Sequence, residues 1–277
     1  MTEMFLIGHG ISHSLSPAMW NHLAHATGRD FRYGLRDVDA DGLEAVLAEL
    51  TSGSVLAANV TMPHKAWAAS VADRRSYAVA STGAANLLIP VDAGIEAHNT
   101  DVIGARAILE TQAPFETVVL LGAGGTAVAI LEALGGLASH VRVVNRTFAN
   151  ATEIAERFVG RFATIEASPW SERDVHTPGA DLVVSAVPAV DEAPFDVSRL
   201  GSHALVYDAV YRRDPTALQL AVSRRGLGLV DGLSHLAAQA IAMLDPLGFE
   251  RSEGRHLLEG LEAATERITT AWGAPLL

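Results

Sequence analysis

The chain has 277 residues, 49% of them hydrophobic and 19% charged, which suffices for one large or two ordinary domain cores. A formal net charge of −12 argues against a nucleic-acid surface, and the absence of cysteine excludes a disulfide framework, a thiolate nucleophile and a thiolate metal site. The opening residues lack a basic segment followed by a long apolar core, and the uncharged run from Thr117 to Leu131 is too short to span a bilayer. A cytoplasmic, enzyme-like protein is the expectation, with no membrane or nucleic-acid partner.

Taken in order, the first hundred residues alternate short apolar runs with helical patterns. Strands are predicted at Met4 to Gly8, Phe31 to Arg36 and Val55 to Val60, and helices at Pro17 to Ala26, Asp41 to Leu50 and Pro63 to Val71. Asn86 to Ile89 and Ile95 to His98 flank a Val-Asp-Ala-Gly turn and read as a hairpin. Such alternation implies a mainly parallel sheet covered by helices. A helix from Asp101 to about Thr111 and then Pro114 mark a boundary: residues 1–105 form one domain and 106–233 a second.

The alternation restarts in the second domain, with strands near Thr117 to Leu121, Val141 to Val144, Ala163 to Ile165, Asp181 to Ser185, Ala204 to Asp208 and Leu227 to Val230. Six strands with helical crossovers suggest a doubly wound, Rossmann-type nucleotide-binding domain. Two further helices, Leu233 to Met243 and Glu253 to Ala271, have no strand after them, so residues 234–277 are expected to return to the first domain.

Gly122-Ala123-Gly124-Gly125-Thr126-Ala127 follows an uncharged strand and opens a helix, the context that the dinucleotide fingerprint requires. The first glycine permits the turn, the second admits a pyrophosphate, and the helix start offers amide donors. The next strand ends in Asn145-Arg146-Thr147 with no acid to bind a ribose 2′-hydroxyl. An arginine there suits a 2′-phosphate, which favours NADP.

At the other end of the chemistry, Ser14 and Ser16 lie before a helix and either punctuate it or bind a carboxylate. Lys65 closes the run Asn59 to Lys65 in the first turn of a helix, where the backbone's partial positive charge disfavours an ammonium. Asp101, at the start of another helix, is either a first-turn acid or the partner that favours that ammonium and shares its proton. His22 and His25 share a helix face, but no second cluster with zinc-like spacing is evident, and no metal is expected.

Together these motifs resemble the shikimate dehydrogenase family over nearly the whole chain. His13-Ser14-Leu15-Ser16-Pro17 is similar to its carboxylate-binding segment, Asn59-Val60-Thr61-Met62-Pro63-His64-Lys65 to its catalytic-lysine motif, and Ala84-Ala85-Asn86 and Asn99-Thr100-Asp101 to its substrate segments. Tyr207-Asp208-Ala209-Val210-Tyr211 matches its Asp-x-x-Tyr, and Gly232 and Gln239 its closing segment. The resemblance implies NADP-dependent reduction of 3-dehydroshikimate to shikimate in aromatic amino-acid biosynthesis, by a monomer or homodimer. Lys65 and Asp101 would handle the proton, and Ser14, Ser16, Asn59, Thr61, Asn86, Tyr211 and Gln239 would hold the substrate. Gly122, Ala123, Gly124, Gly125, Thr126, Asn145, Arg146, Thr147, Ala186, Val187, Ala209 and Gly232 would hold the cofactor. The chain differs in having His9-Gly10 where Asn-Pro is common, and in Trp20, Val102, Asn150, Val187 and His235. Two alternatives are a quinate/shikimate paralogue using NAD and a silent dinucleotide-binding sensor. The presence of both Lys65 and Asp101 argues against the second.

Overall fold

The computed structural model describes residues 2–188 and 191–266, which form two compact units, 2–104 with 237–266 and 105–236. The chain changes unit inside a helix each time, after Gly104 and after Leu236.

The first unit holds β1 (Thr2–Gly8), α1 (Ser16–Thr27), β2 (Phe31–Asp37), α2 (Leu43–Leu50), β3 (Val55–Val60), α3 (Lys65–Ser70), β4 (Arg74–Arg75), α4 (Tyr77–Thr82), β5 (Leu87–Val91), β6 (Gly94–His98) and the start of α5 (Thr100–Glu110). The sheet order is β2-β1-β3-β5-β6-β4. It is mixed, since β1 with β2, β1 with β3, and β4 with β6 run parallel, while β5 is antiparallel to both neighbours. Met4 to Ile7 are buried without interruption, as a strand covered on both faces requires. Phe5, Ile7, Val55, Val60, Leu88 and Ile95 join Val46 and Leu50 of α2 in one core.

Three local expectations shift. Ser16 begins α1 instead of capping it, with Leu15 at the N-cap and Pro17 inside the first turn. Pro63 lies in the turn before α3, its bond to Met62 cis, and the helix starts at Lys65 itself. β4 and α4 were not expected; the second is announced only by Ser76, whose hydroxyl accepts from the Val79 amide.

The second unit continues α5 and then holds β7 (Phe115–Leu121), α6 (Gly125–Ala133), β8 (Ala138–Asn145), α7 (Phe148–Arg157), β9 (Thr164–Pro169), α8 (Arg173–His176), β10 (Leu182–Ser185), β11 (Leu205–Asp208), α9 (Ala217–Arg224), β12 (Gly228–Val230) and the start of α10 (Gly232–Ile241). All six expected strands are present and parallel, in the order β12-β11-β10-β7-β8-β9. That is the doubly wound order, with its switch point between β7 and β10. Within α10 the chain re-enters the first unit, where α11 (Gly254–Thr265) packs on α1. The expected extension of α11 to Ala271 lies partly outside the described residues. Among the described residues no helix is long and apolar enough to cross a membrane.

Candidate active site

Strand direction gathers the candidate residues of the first unit at one edge of its sheet. The parallel strands β1 and β3 end there, releasing the segments that carry Ser14 and Lys65. Because β5 runs antiparallel to β3, Asn86 at its beginning lies at the same edge. β6 then returns to that edge at His98 and leads into Asn99, Thr100 and Asp101.

There Lys65 Nζ donates to Asp101 Oδ2 at 2.6 Å, with side chains only 15% and 6% exposed. Asp101 Oδ1 accepts from Asn86 Nδ2 at 3.0 Å, so the carboxylate is oriented through both oxygens. Asn86 is fixed in turn, for its Oδ1 accepts from the Thr100 amide at 2.7 Å and its Nδ2 also reaches Thr100 Oγ1 and Gln239 Oε1. A mostly buried ion pair requires partners for its remaining hydrogen-bonding positions, and the clasp supplies one for the second carboxylate oxygen. An ammonium has three donors, of which Asp101 takes one. The arrangement can deliver a proton to a nearby oxygen, or take one from it, from a fixed position.

A second layer holds the edge in place. Tyr33 Oη donates to Asn59 Oδ1 at 2.7 Å, and Asn59 Nδ2 reaches the Asn86 carbonyl and Met243 Sδ. The Asn59 amide is therefore engaged by groups of the fold itself. Tyr33 stacks on Trp20, ring centroids 6.2 Å apart and nearly parallel. The loop leading to Ser14 is anchored by Asp37, whose two oxygens accept from the Gly10 and Ile11 amides. Ser14 Oγ accepts from the Ser16 amide at 3.3 Å, Ser16 is buried, and Thr61 is half-buried at the end of β3. Sequence reasoning missed Tyr33, Asp37 and Met243 as supports. The alternation in β2, with Phe31 and Tyr33 inward, could have exposed a buried phenol in need of a partner.

In the second unit the glycine loop lies at the switch point. Gly122 has φ +113°, and a Cβ there would meet the Ala186 carbonyl oxygen at 2.8 Å, so only glycine fits. Gly124 differs: a Cβ on it would meet nothing within 4 Å, which leaves its backbone open to a ligand. No side chain caps α6, whose first residue, Gly125, is exposed and whose second, Thr126, is half-buried, ahead of the packed Ala127. An open backbone at an uncapped helix start is what a pyrophosphate needs, so these residues fit a dinucleotide. At the end of β8, Asn145 Nδ2 donates to the Thr147 carbonyl, and Arg146 stands exposed beside them. Arg146 offers the donors and charge for a 2′-phosphate.

Ala186 follows β10, its amide bonded to the Leu121 carbonyl, and Ala209 follows β11, bonded to that of Ser185. Val187 joins Ser185, Pro188, Asp208 and Thr216 in lining a small cleft. Asp208 is buried there, and burial pushes its carboxyl up, opposed by donors from Thr216, the Val210 amide and Gln219. Gly232 has a packing reason of its own, because a Cβ would meet the Val210 carbonyl at 2.3 Å. His235, buried, pairs through Nδ1 with Tyr207 Oη at 2.7 Å. Tyr211 is half-buried in the loop after β11 and belongs to the second unit, whereas the other residues expected to hold substrate belong to the first.

Known proteins are similar to this chain over most of its length. The family model for the shikimate dehydrogenase substrate binding domain matches residues 6–88, and that for shikimate / quinate 5-dehydrogenase matches residues 105–193. A shikimate dehydrogenase (NADP(+)) of Exiguobacterium sibiricum is 34% identical over 256 residues, which cover 91% of this chain and 92% of the relative. Another, from Mesorhizobium japonicum, is 37% identical over 250 residues, covering 86% and 88%. The crystal structure of shikimate 5-dehydrogenase from Thermus thermophilus in complex with NADP(H) and shikimate is similar at a TM-score of 0.81 and 28% identity, covering 95% of this chain and all of that one.

Proposed function

The chain belongs to the shikimate dehydrogenase family, and from that membership we propose that it interconverts 3-dehydroshikimate and shikimate with NADP, Lys65 and Asp101 moving the proton. The observation that carries the reading is the Lys65–Asp101 pair at 2.6 Å, oriented by Asn86 at an edge shared with Ser14, Ser16, Thr61 and Gln239. When bound, NADP(H) would supply or accept the hydride at the substrate's C3. In reduction, Lys65 gives its proton to the oxygen on that carbon as the carbonyl becomes an alcohol. In oxidation, the neutral amine takes the hydroxyl proton. Asp101 keeps the amine in place.

The hydroxyls of Ser14 and Ser16 would hold the substrate carboxylate, with Thr61, Asn86 and Gln239 meeting its hydroxyls. Asn59 contributes by fixing Asn86. The Gly122–Thr126 turn would bind the pyrophosphate, and Arg146 the 2′-phosphate that separates NADP from NAD. The same reading carries a cytoplasmic location and a monomer or homodimer, which sedimentation decides.

The test follows reduced-nicotinamide absorbance with shikimate and with quinate, each supplied with NADP and with NAD. The shikimate–NADP pair is expected to give the highest kcat/KM. Faster turnover with quinate and NAD would replace this reading by the paralogue, and no turnover with any pair would leave a silent binding module.

A further inference from the structure

His22 faces a different partner in space from the one its spacing suggests. Among the described residues, His22 of α1 meets His256 and Glu259 of α11, with one ligand atom from each within 4.8 Å of the others. His22 Nε2 lies 3.3 Å from Glu259 Oε2, and His256 Nδ1 lies 2.8 Å from the same oxygen. The backbones are held close by Gly260, where a Cβ would stand 2.8 Å from the His22 Cβ and 2.9 Å from the Ala18 carbonyl oxygen. His256 and Glu259 are three apart and share a face of α11. The geometry of the three ligands is therefore set by a helix crossing and not by a loop.

We propose that His22, His256 and Glu259 form a zinc-class divalent metal site that clips α1 to α11. Metal–ligand bonds of about 2.0–2.1 Å in a tetrahedron place ligand atoms about 3.3 Å apart, the spacing of His22 Nε2 from Glu259 Oε2, while His256 Nδ1 lies closer to that oxygen at 2.8 Å. Two imidazoles and one carboxylate suit zinc and its transition-metal neighbours, while calcium and magnesium prefer all-oxygen shells. Three protein ligands leave the fourth position to water. The two contacts to Glu259 show the oxygen already serving both rings, the part that the cation would take over. Arg255 is the charged neighbour that must yield. Its Nε lies 3.4 Å from His256 Nε2, which has to carry the ring proton once Nδ1 binds metal, and the exposed guanidinium can turn to solvent. The net charge of −12 favours approach of a cation. The site lies away from Lys65 and Asp101 in sequence and element, and it stands whether or not the dehydrogenase reading does.

Zinc chloride titrated into the full-length chain by calorimetry near neutral pH tests this. One equivalent should bind to the wild type, and affinity should fall at least about tenfold in His22→Ala and in Glu259→Gln, since even outer partners of a metal cost that much. Zinc should raise the Tm of the wild type and not of either variant, because a ligand of the native state stabilises by mass action. Circular dichroism without metal confirms that the variants are folded. Absence of saturable binding, or equal binding by wild type and both variants, would overturn the site and leave only a hydrogen-bonded cluster.

Discussion

Asp101 gives one carboxylate oxygen to Lys65 and the other to Asn86, and this division makes Asn86 as important to the pair as its two charged members. Removing Asn86 leaves the buried Thr100 amide without its 2.7 Å acceptor. Asn86→Ala should therefore cost about 1–3 kcal/mol in urea unfolding, and lower kcat/KM for shikimate as well. An unchanged unfolding midpoint would show that the clasp carries no load. Arg146 is a simpler case, exposed and set beside the glycine loop's neighbouring strand end. Arg146→Ala should raise KM for NADP roughly tenfold, as loss of one charge-assisted contact implies, and leave KM for NAD alone. Equal effects on both cofactors would remove it from phosphate recognition. Lys65 and Asp101 were legible as reactive residue types at helix starts, and Asn86 only through the resemblance of Ala84-Ala85-Asn86 to a family segment. Tyr33, Asp37 and Met243 did not, because a supporting contact between residues tens or hundreds of positions apart leaves no local pattern.

At the level of elements, the strands were legible because each is an apolar run of the right length between turn signals. The six of the second unit appear as expected, while Arg74–Arg75, a two-residue strand of charged side chains, carries no such signal. Helix starts were less legible, since Ser16 and Pro63 look like punctuation whichever turn they occupy. The crossing of α5 and α10 has its own determinant. A Cβ on Gly104 would lie 2.6 Å from the Gln239 amide nitrogen and 2.8 Å from the Ala238 carbonyl carbon, both backbone atoms that cannot swing aside. Gly104→Ala should cost about 1–3 kcal/mol by overpacking. It should also raise KM for shikimate by displacing Gln239 from Asn86. A variant with wild-type stability and KM would mean the crossing relaxes freely.

For the molecule as a whole, the pH dependence of stability is a balance of opposed signs. Glu253 is held below the usual carboxylate range, chiefly by its two hydrogen bonds from Arg29, at 2.9 and 2.8 Å. Its contribution is present above the unfolded value and is lost as pH falls through the folded one. Asp208 runs the other way: burial raises it, so what it contributes is complete at low pH and lost as pH rises through the raised value. Glu253→Gln should lose about 1 kcal/mol at neutral pH, and that deficit should shrink as the solution is acidified below the carboxylate range. Urea unfolding across pH measures it, and a deficit independent of pH would assign the loss to packing. The two-unit plan was legible from the restart of strand–helix alternation after Pro114. The close placement of His22, His256 and Glu259 was not, because it depends on a terminal helix packing back over residues more than two hundred positions away.

The proposed role of Lys65, held by Asp101, is to move the proton in NADP-linked oxidation of shikimate. Its most direct test is kcat for that reaction in Lys65→Ala beside the wild type. Loss of general acid–base help should lower kcat by about 10²-fold or more while the variant stays folded and still binds NADP. A kcat within a few-fold of wild type would contradict the account.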